Sequence, residues 1–397
     1  MKPKLIRLTT VPISMNILLK NQLRFMSGHF EVIGICSKDE KHFHEIISRE
    51  GIRLKAIKLT RKFSPFLDMI ALAQMIWFFL VEKPAIVHSN TPKSSLLAMI
   101  ASWMTGVRIR IYTVTGLRFE TERGFKRNLL KASEKLTCLL SSKVIPEGEG
   151  VKKTLIKERI TSKPLAVINN GNVNGIDLDY FSPDAVFEDQ EQLSQFKESL
   201  GIRRENFVYC FVGRMVKSKG IQEIVSSFVR LTECLLTDSA SYHMPVLLLV
   251  GPMGDGKDYI GRGLEDEIRN NPAIKYVGRQ DDIRPYLQAS NVFVFPSYRE
   301  GFPNVVMQAG AMGLPCIVSD ISGCNEIIVH GENGFIVPPK FSDSLHDAMM
   351  LLYKDHALRT RLAFKARQMI VDRYDQRDLW AALLKEYQNL VKEKLPE

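Results

Sequence analysis

A chain of 397 residues with 45% hydrophobic and 25% charged residues has the composition of a soluble globular protein of two or three domains, which excludes disordered, collagen-like and small disulfide-scaffold classes. The net charge of +10 is held unevenly: residues 1–180 carry 29 Lys and Arg against 15 Asp and Glu, a balance of +14, and the remainder carries −4. The basic half asks for an acidic partner, whether nucleic acid, anionic lipid or phosphate groups, and the lack of any RNP, helix-turn-helix or zinc-finger pattern weighs against nucleic acid.

The first residues, MKPKLIRLTT, carry no signal-peptide pattern and read as a strand. Six cysteines, Cys36, Cys138, Cys210, Cys234, Cys316 and Cys324, form no C-x-x-C pair, so reduced thiols in the cytoplasm are expected, without a zinc site or redox motif. Further strand-like runs follow: FEVIGIC, IRLKAIKL, AIVHSN, VRIRIYTV, KVIPE and LAVINN. Between them, helical spacing marks 15–27, 66–82, 94–105 and 126–140, a βαβ alternation that predicts a parallel sheet with helices on both faces. The apolar segment Phe66 to Val81 is interrupted by Asp68 and Gln74 and falls short of the ~20 residues of a membrane span. It reads as a buried core helix, with the aromatic end Trp77-Phe78-Phe79 leaving a shallow membrane contact open. The basic clusters RKFSPF and GFKRNLLK adjoin apolar residues, as on a membrane-facing edge.

A polar interval, DLDYFSPDAVFEDQEQLSQFKESLGIRREN, precedes a second series of strands: FVYCFVG, PVLLLVG, AIKYVG, NVFVFPS, PCIVSD and GFIVPP. Two doubly wound α/β domains are expected, 1–182 and 183–375, with ligand at the carboxyl ends of the strands in the crevice between them. The last helix, 376–397, is expected to fold back on the first domain.

Five stretches compete as sites. GPMGDGKD spells G-x-x-x-x-G-K, but Asp258 stands where a P-loop needs Ser or Thr, and Pro252 lacks an N–H. In VGRMVKSKG, Arg214 and Lys219 flank a short loop after a strand, two cations suited to a diphosphate. Asp281 and Asp282 read as helix caps rather than a metal pair, and His88 is either a site residue at a strand end or a satisfied core histidine. In PSYREGFPNVVMQAGAMGLP, a strand runs through a loop bearing Glu300 into a helix after Pro303. The N–H groups of Asn304, Val305 and Val306 would then face outward as an anion site.

In this order these motifs resemble the retaining nucleotide-sugar glycosyltransferases of the GT-B fold, sequence family four: VGRMVKSKG, VGRQDDIRPYL, PSYREGFPNVVMQAGAMGLPCIVSD and GCNEIIVHGENGFIVPP. KPAIVHSNTPKSS, IYTVTGLRF and VINNGNVNGIDLDYF resemble the branch that builds capsule, O-antigen and other lipid-linked glycans. The resemblance implies a GT-B architecture of two Rossmann-like domains. It implies that Arg214 and Lys219 bind the donor diphosphate, that Glu300 contacts the donor sugar, and that Gly301, Phe302, Pro303, Asn304 and Val305 form the phosphate loop. Gly213, Arg279 and Gly116 would complete the donor site. Gln308 would meet the ribose hydroxyls at a position where the family usually has Glu, and Thr115 replaces the histidine many members carry before the glycine. The implied reaction moves a hexosyl or N-acetylhexosaminyl group from a nucleoside diphosphate, UDP by resemblance, to a glycan acceptor, with no metal or other cofactor. Because the +14 balance lies in the half expected to bind acceptor and includes basic residues near the apolar Phe66 to Val81 segment, the acceptor is expected to be a polyprenyl-diphosphate-linked saccharide, used by an enzyme peripheral on the cytoplasmic face of the inner membrane, at an anionic surface. Thr115 and Gln308 motivate one rival, a non-catalytic nucleotide-sugar-binding protein; a second, a GT-B UDP-sugar epimerase, lacks the acidic and histidine residues it would want in the first domain.

Overall fold

The computed structural model describes residues 2–60, 64–184, 186–237 and 243–395; residues 61–63 of the RKFSPF cluster thus lie outside the described residues. The chain forms two units, 1–175 with 376–397, and 176–375. The boundary falls at Gly175/Ile176, not 182/183, because Ile176 and Leu178 are buried in the second core and the Ile176 N–H bonds to Tyr374 O at 2.8 Å.

The first unit carries β1 (Lys4–Leu8), β2 (Glu31–Cys36), β3 (Arg53–Ala56), β4 (Ile86–Ser89), β5 (Ile109–Val114) and β6 (Lys143–Pro146). They form one parallel sheet in the order β3-β2-β1-β4-β5-β6. Its helices are α1 (Pro12–Leu18), α2 (Gln22–Ser27), α3 (Glu40–Glu50), α4 (Pro65–Glu82), α5 (Pro92–Met104), α6 (Gly124–Leu140) and α7 (Glu149–Lys157). β1 and β4 are nearly all buried, their polar members Arg7, His88 and Ser89 included, because helices cover both faces of the sheet. The expected helix 15–27 is broken at Asn21, which is left-handed at φ 63 and starts α2 under the buried Glu50 carboxylate, acceptor of the Asn21 and Arg24 N–H groups at 2.8 and 3.0 Å. The expected strand LAVINN is a loop. Pro164 precedes it, Asn169 is left-handed, and its recorded backbone bond is a turn from Gly171 N to Ile168 O.

α4, α5 and α6 pack in succession on one face of this sheet. Ala71, Met75, Phe78 and Phe79 of α4 enter the core with Ala98 and Val87. Phe66, Met69, Trp77 and Leu80, which share its other face, are 73, 70, 64 and 55% exposed. At 18 residues α4 is long and apolar enough to cross a membrane by length and composition, against the shorter segment expected, and only 28% of it is buried, so it is no buried core helix.

The second unit carries β7 (Val208–Val212), β8 (Val246–Val250), β9 (Ile274–Gly278), β10 (Val292–Phe295), β11 (Cys316–Ser319) and β12 (Gly334–Val337). Its helices are α8 (Gln190–Ser199), α9 (Ile221–Thr237), α10 (Arg262–Asn270), α11 (Arg284–Gln288), α12 (Asn304–Ala311), α13 (Cys324–Ile327), α14 (Ser342–Lys354) and α15 (His356–Tyr374). The order β12-β11-β10-β7-β8-β9 repeats the first sheet's topology, so the strand order reverses between β7 and β10, where a doubly wound sheet opens a crevice at its carboxyl edge.

The chain then returns to the first unit as α16 (Gln376–Lys394), whose Leu383, Tyr387 and Leu390 join the core around Leu5, Ile86 and Ile109. The Tyr387 hydroxyl meets Arg7 Nη1 and His88 Nδ1, each at 2.6 Å. Arg7 is fully buried and also reaches Asn90 Oδ1 at 2.9 Å.

Candidate active site

In the second unit the loop after β7 turns through Lys217–Lys219 and closes at Gly220, left-handed at φ 72. A Cβ on Gly220 would lie 2.1 Å from Pro296 O, so only glycine lets this loop lie against the one after β10. Tyr298 N donates to Ser218 O at 2.9 Å and joins the two loops. Across this junction Lys219 Nζ contacts Glu300 Oε1, while Ser297 Oγ donates to the same oxygen at 2.6 Å. The two charged side chains are 19 and 16% exposed, and Lys219 Nζ sits 4.9 Å from the Phe295 ring centroid.

The glycine-rich stretch rejected as a P-loop supports the same loop. Asp258 accepts from Ser218 N at 3.0 Å and from Ser218 Oγ at 2.5 Å, while Met215 N reaches Pro252 O and Gly254 N reaches Met215 O. Asp258 thereby holds the turn that carries Lys219. Tyr298 donates to Glu223 Oε1 at 2.5 Å, and burial pushes the phenol well above its ordinary range, so it stays a neutral donor.

Glu300 leads into α12. Gly301 and the buried Phe302 lie against Gly323, where a Cβ would fall 2.3 Å from Gly301 O, and Phe302 meets Tyr374 edge-on at 5.7 Å. Pro303 is the N-cap, and Val306 N donates to Pro303 O at 3.1 Å. Of the three amides expected to face outward, the Val306 N–H is therefore spent closing the first turn. Gln308 lies one turn inside α12, half-buried, its amide without a partner among the described residues.

Arg214 is exposed and makes no ion pair among the described residues; Gly213 N donates to Val250 O at 2.9 Å. The sheet thus gathers Arg214, Lys219, Ser297, Glu300 and the start of α12 at the carboxyl ends of the adjacent strands β7 and β10. Arg279, 59% exposed, follows β9, two strands from β7, and faces Asp281 at 3.6 Å. Gly116 follows β5 in the first unit, where Thr115 Oγ1 donates to Asn90 O at 2.9 Å. His88 is a core residue: Nε2 meets Thr113 Oγ1 at 2.7 Å, and burial, then the Arg7 charge, push its pKa well below the ordinary histidine value. Asp282 receives the Arg284 N–H at 3.0 Å and pairs with its guanidinium at 2.6 Å, so it is occupied at the start of α11. Among the described residues no three His, Cys, Asp or Glu are grouped to hold a metal ion. The supporting roles of Ser297, Asp258 and Glu223 escaped sequence reasoning; single polar residues in loops or in the first turn of a helix carry no periodic signal, and only the adjacent strand ends could have marked them.

A cation and a hydroxyl-supported carboxylate beside a helix N-terminus can bind a phosphate and the hydroxyls of a polyol at once. Residues 194–369 match the family model "Glycosyl transferases group 1", and residues 12–146 match "Glycosyl transferase 4-like". Over 396 residues the chain is 31% identical to the capsular polysaccharide biosynthesis glycosyltransferase CapM of Staphylococcus aureus, covering 98% of each. It is 29% identical to the UDP-Gal:alpha-D-GlcNAc-diphosphoundecaprenol alpha-1,3-galactosyltransferase of Escherichia coli, covering 80% of this chain and 78% of that one. The crystal structure of Anabaena HepE in complex with UDP and glucose superposes with a TM-score of 0.80 at 18% identity, covering 98% of this chain and all of that one. The chain belongs to the group 1 glycosyltransferases of GT-B fold, in the branch that builds capsule and O-antigen polysaccharides.

Proposed function

We propose that this glycosyltransferase moves a hexosyl or N-acetylhexosaminyl group from a UDP donor to a polyprenyl-diphosphate-linked saccharide, with retention at the anomeric carbon. The observation that carries the donor assignment is the Lys219–Glu300 contact across β7 and β10, with Arg214 exposed beside it and α12 opening next to it. As the glycosidic bond to the donor breaks, negative charge grows on the leaving diphosphate. Arg214, Lys219 and the N-terminus of α12 would neutralise it where it develops. Glu300, released from Lys219, would accept from the donor sugar hydroxyls, and Gln308 would meet the ribose, its amide accepting from one hydroxyl and donating to another. The leaving phosphate oxygen takes the acceptor proton on the face from which the bond broke. On this reading the protein's own cations carry the diphosphate charge without a metal, so transfer should persist in EDTA.

The lipid-linked acceptor is supported by the Escherichia coli relative, named for a diphosphoundecaprenol substrate, and by the charge of the first unit. The same evidence supports a peripheral position at an anionic cytoplasmic membrane face. A thermal-shift panel of nucleotide sugars tests the donor, since bound ligand raises apparent stability with affinity. UDP-sugars should raise the midpoint of the wild type but not of Lys219→Ala or Arg214→Ala. Equal shifts in all three proteins would remove the donor assignment.

A further inference from the structure

We infer that α4 and α6 of the first unit form the surface by which the enzyme rests in an anionic bilayer, a placement that builds on the lipid-linked acceptor reading. The outer face of α4 is apolar along its whole length, through Phe66, Met69, Ala73, Trp77 and Leu80 at steps of three or four residues. α6 repeats the pattern with Phe125, Leu129, Ala132, Leu136 and Leu139. Of these, Phe125 is 83% exposed and Leu139 70%. α5 lies between the two helices and adds Trp103 and Met104 at its exposed end. A soluble surface scatters its apolar residues singly, whereas two parallel stripes with a third contribution between them call for an occupant.

Charge selects the occupant. Exposed Lys126 and Lys135 flank the α6 stripe, Lys83 closes α4 and Arg108 follows Met104. The first unit holds 33 Lys and Arg against 17 Asp and Glu, a balance of +16, and the second unit holds −6. A second copy seated on this face would set like charges against each other, while anionic lipid headgroups complement them. Apolar stripes edged by cations lie shallowly at the acyl boundary.

The three tryptophans provide the readout, since Trp77 and Trp103 are exposed and Trp380 is buried. With vesicles of phosphatidylglycerol and phosphatidylcholine, the wild type should sediment and its fluorescence shift to the blue. Trp77→Phe combined with Trp103→Phe should still sediment without the shift. Trp77→Glu combined with Leu136→Glu should lose partitioning by on the order of 10²-fold at an unchanged melting temperature, because both side chains are exposed. Binding without a blue shift, or unaffected by the two glutamates, overturns the assignment. So does a lipid-free dimer that Trp77→Glu dissociates, which would give the face to a second copy. UDP-induced thermal shift of the Trp77→Glu, Leu136→Glu protein is read in parallel; its retention separates a failed membrane face from a failed donor site.

Discussion

Glu300 and the donor diphosphate compete for one cation, and the sign of that competition can be measured. Lys219 contacts Glu300, both side chains lie mostly out of solvent, and Ser297 secures the same carboxylate oxygen. For unit charges at about 3 Å, an effective dielectric of about 20 gives roughly 5 kcal/mol of attraction. Residual exposure and the entropy of ordering two long side chains reduce the net to about 1–2 kcal/mol. Glu300→Gln keeps the size and the Ser297 bond, frees Lys219, and removes a negative charge from beside the diphosphate. UDP should therefore bind the variant more tightly, by about 10-fold for a gain of about 1.4 kcal/mol. Turnover should fall by roughly 10²–10³, because the donor sugar loses its charged acceptor. Lys219→Ala should weaken UDP and lower kcat/KM by on the order of 10²-fold. Calorimetric titration with UDP and initial transfer rates supply both numbers. Weaker UDP binding by Glu300→Gln together with unchanged kcat would refute the reasoning and leave the pair as a structural ion bridge.

Three further outcomes are expected. Gln308→Ala should reduce the preference for UDP over 2′-deoxy-UDP by about 5-fold, measured by competition, since one lost ribose hydrogen bond between otherwise paired groups is worth about 1 kcal/mol. The Tyr112 hydroxyl bonds to Glu134 at 2.9 Å, and burial pushes that carboxyl from 4.5 to about 7. The folded chain then holds a proton that the unfolded chain releases, so stability should fall as pH rises from 4.5 to 7, by about 3 kcal/mol, and Glu134→Gln should flatten the slope in denaturant melts. Tyr387→Phe leaves Arg7 Nη1 and His88 Nδ1 without their shared hydroxyl and should cost about 1–3 kcal/mol in the same melts.

The strands were legible because a parallel sheet covered on both faces demands continuous apolar runs, and VYCFV, VLLLV and VFVF satisfy that without long-range information. The LAVI of LAVINN satisfies it too but lies in a loop, since Pro164 and the left-handed Asn169 decide the backbone there. The break at Asn21 depends on Glu50, whose carboxylate arrives from another helix. Arg214, Lys219 and Glu300 were legible as members of motifs at strand ends. That Lys219 touches Glu300 was not, because they are 81 residues apart and meet only once β7 lies beside β10. The outer face of α4 was hidden for another reason: with apolar residues all around the helix, periodicity cannot say which side is buried.

The most direct test of retaining transfer to a lipid-linked acceptor is the anomeric configuration of the product, read by proton coupling in NMR. The purified protein would be given an α-linked UDP-sugar and a short-chain polyprenyl-diphosphate-linked saccharide, with Lys219→Ala as control. The account predicts an α-linked product from the wild type and none above background from the variant. A β-linked product would contradict retention, and equal transfer by the variant would contradict the site.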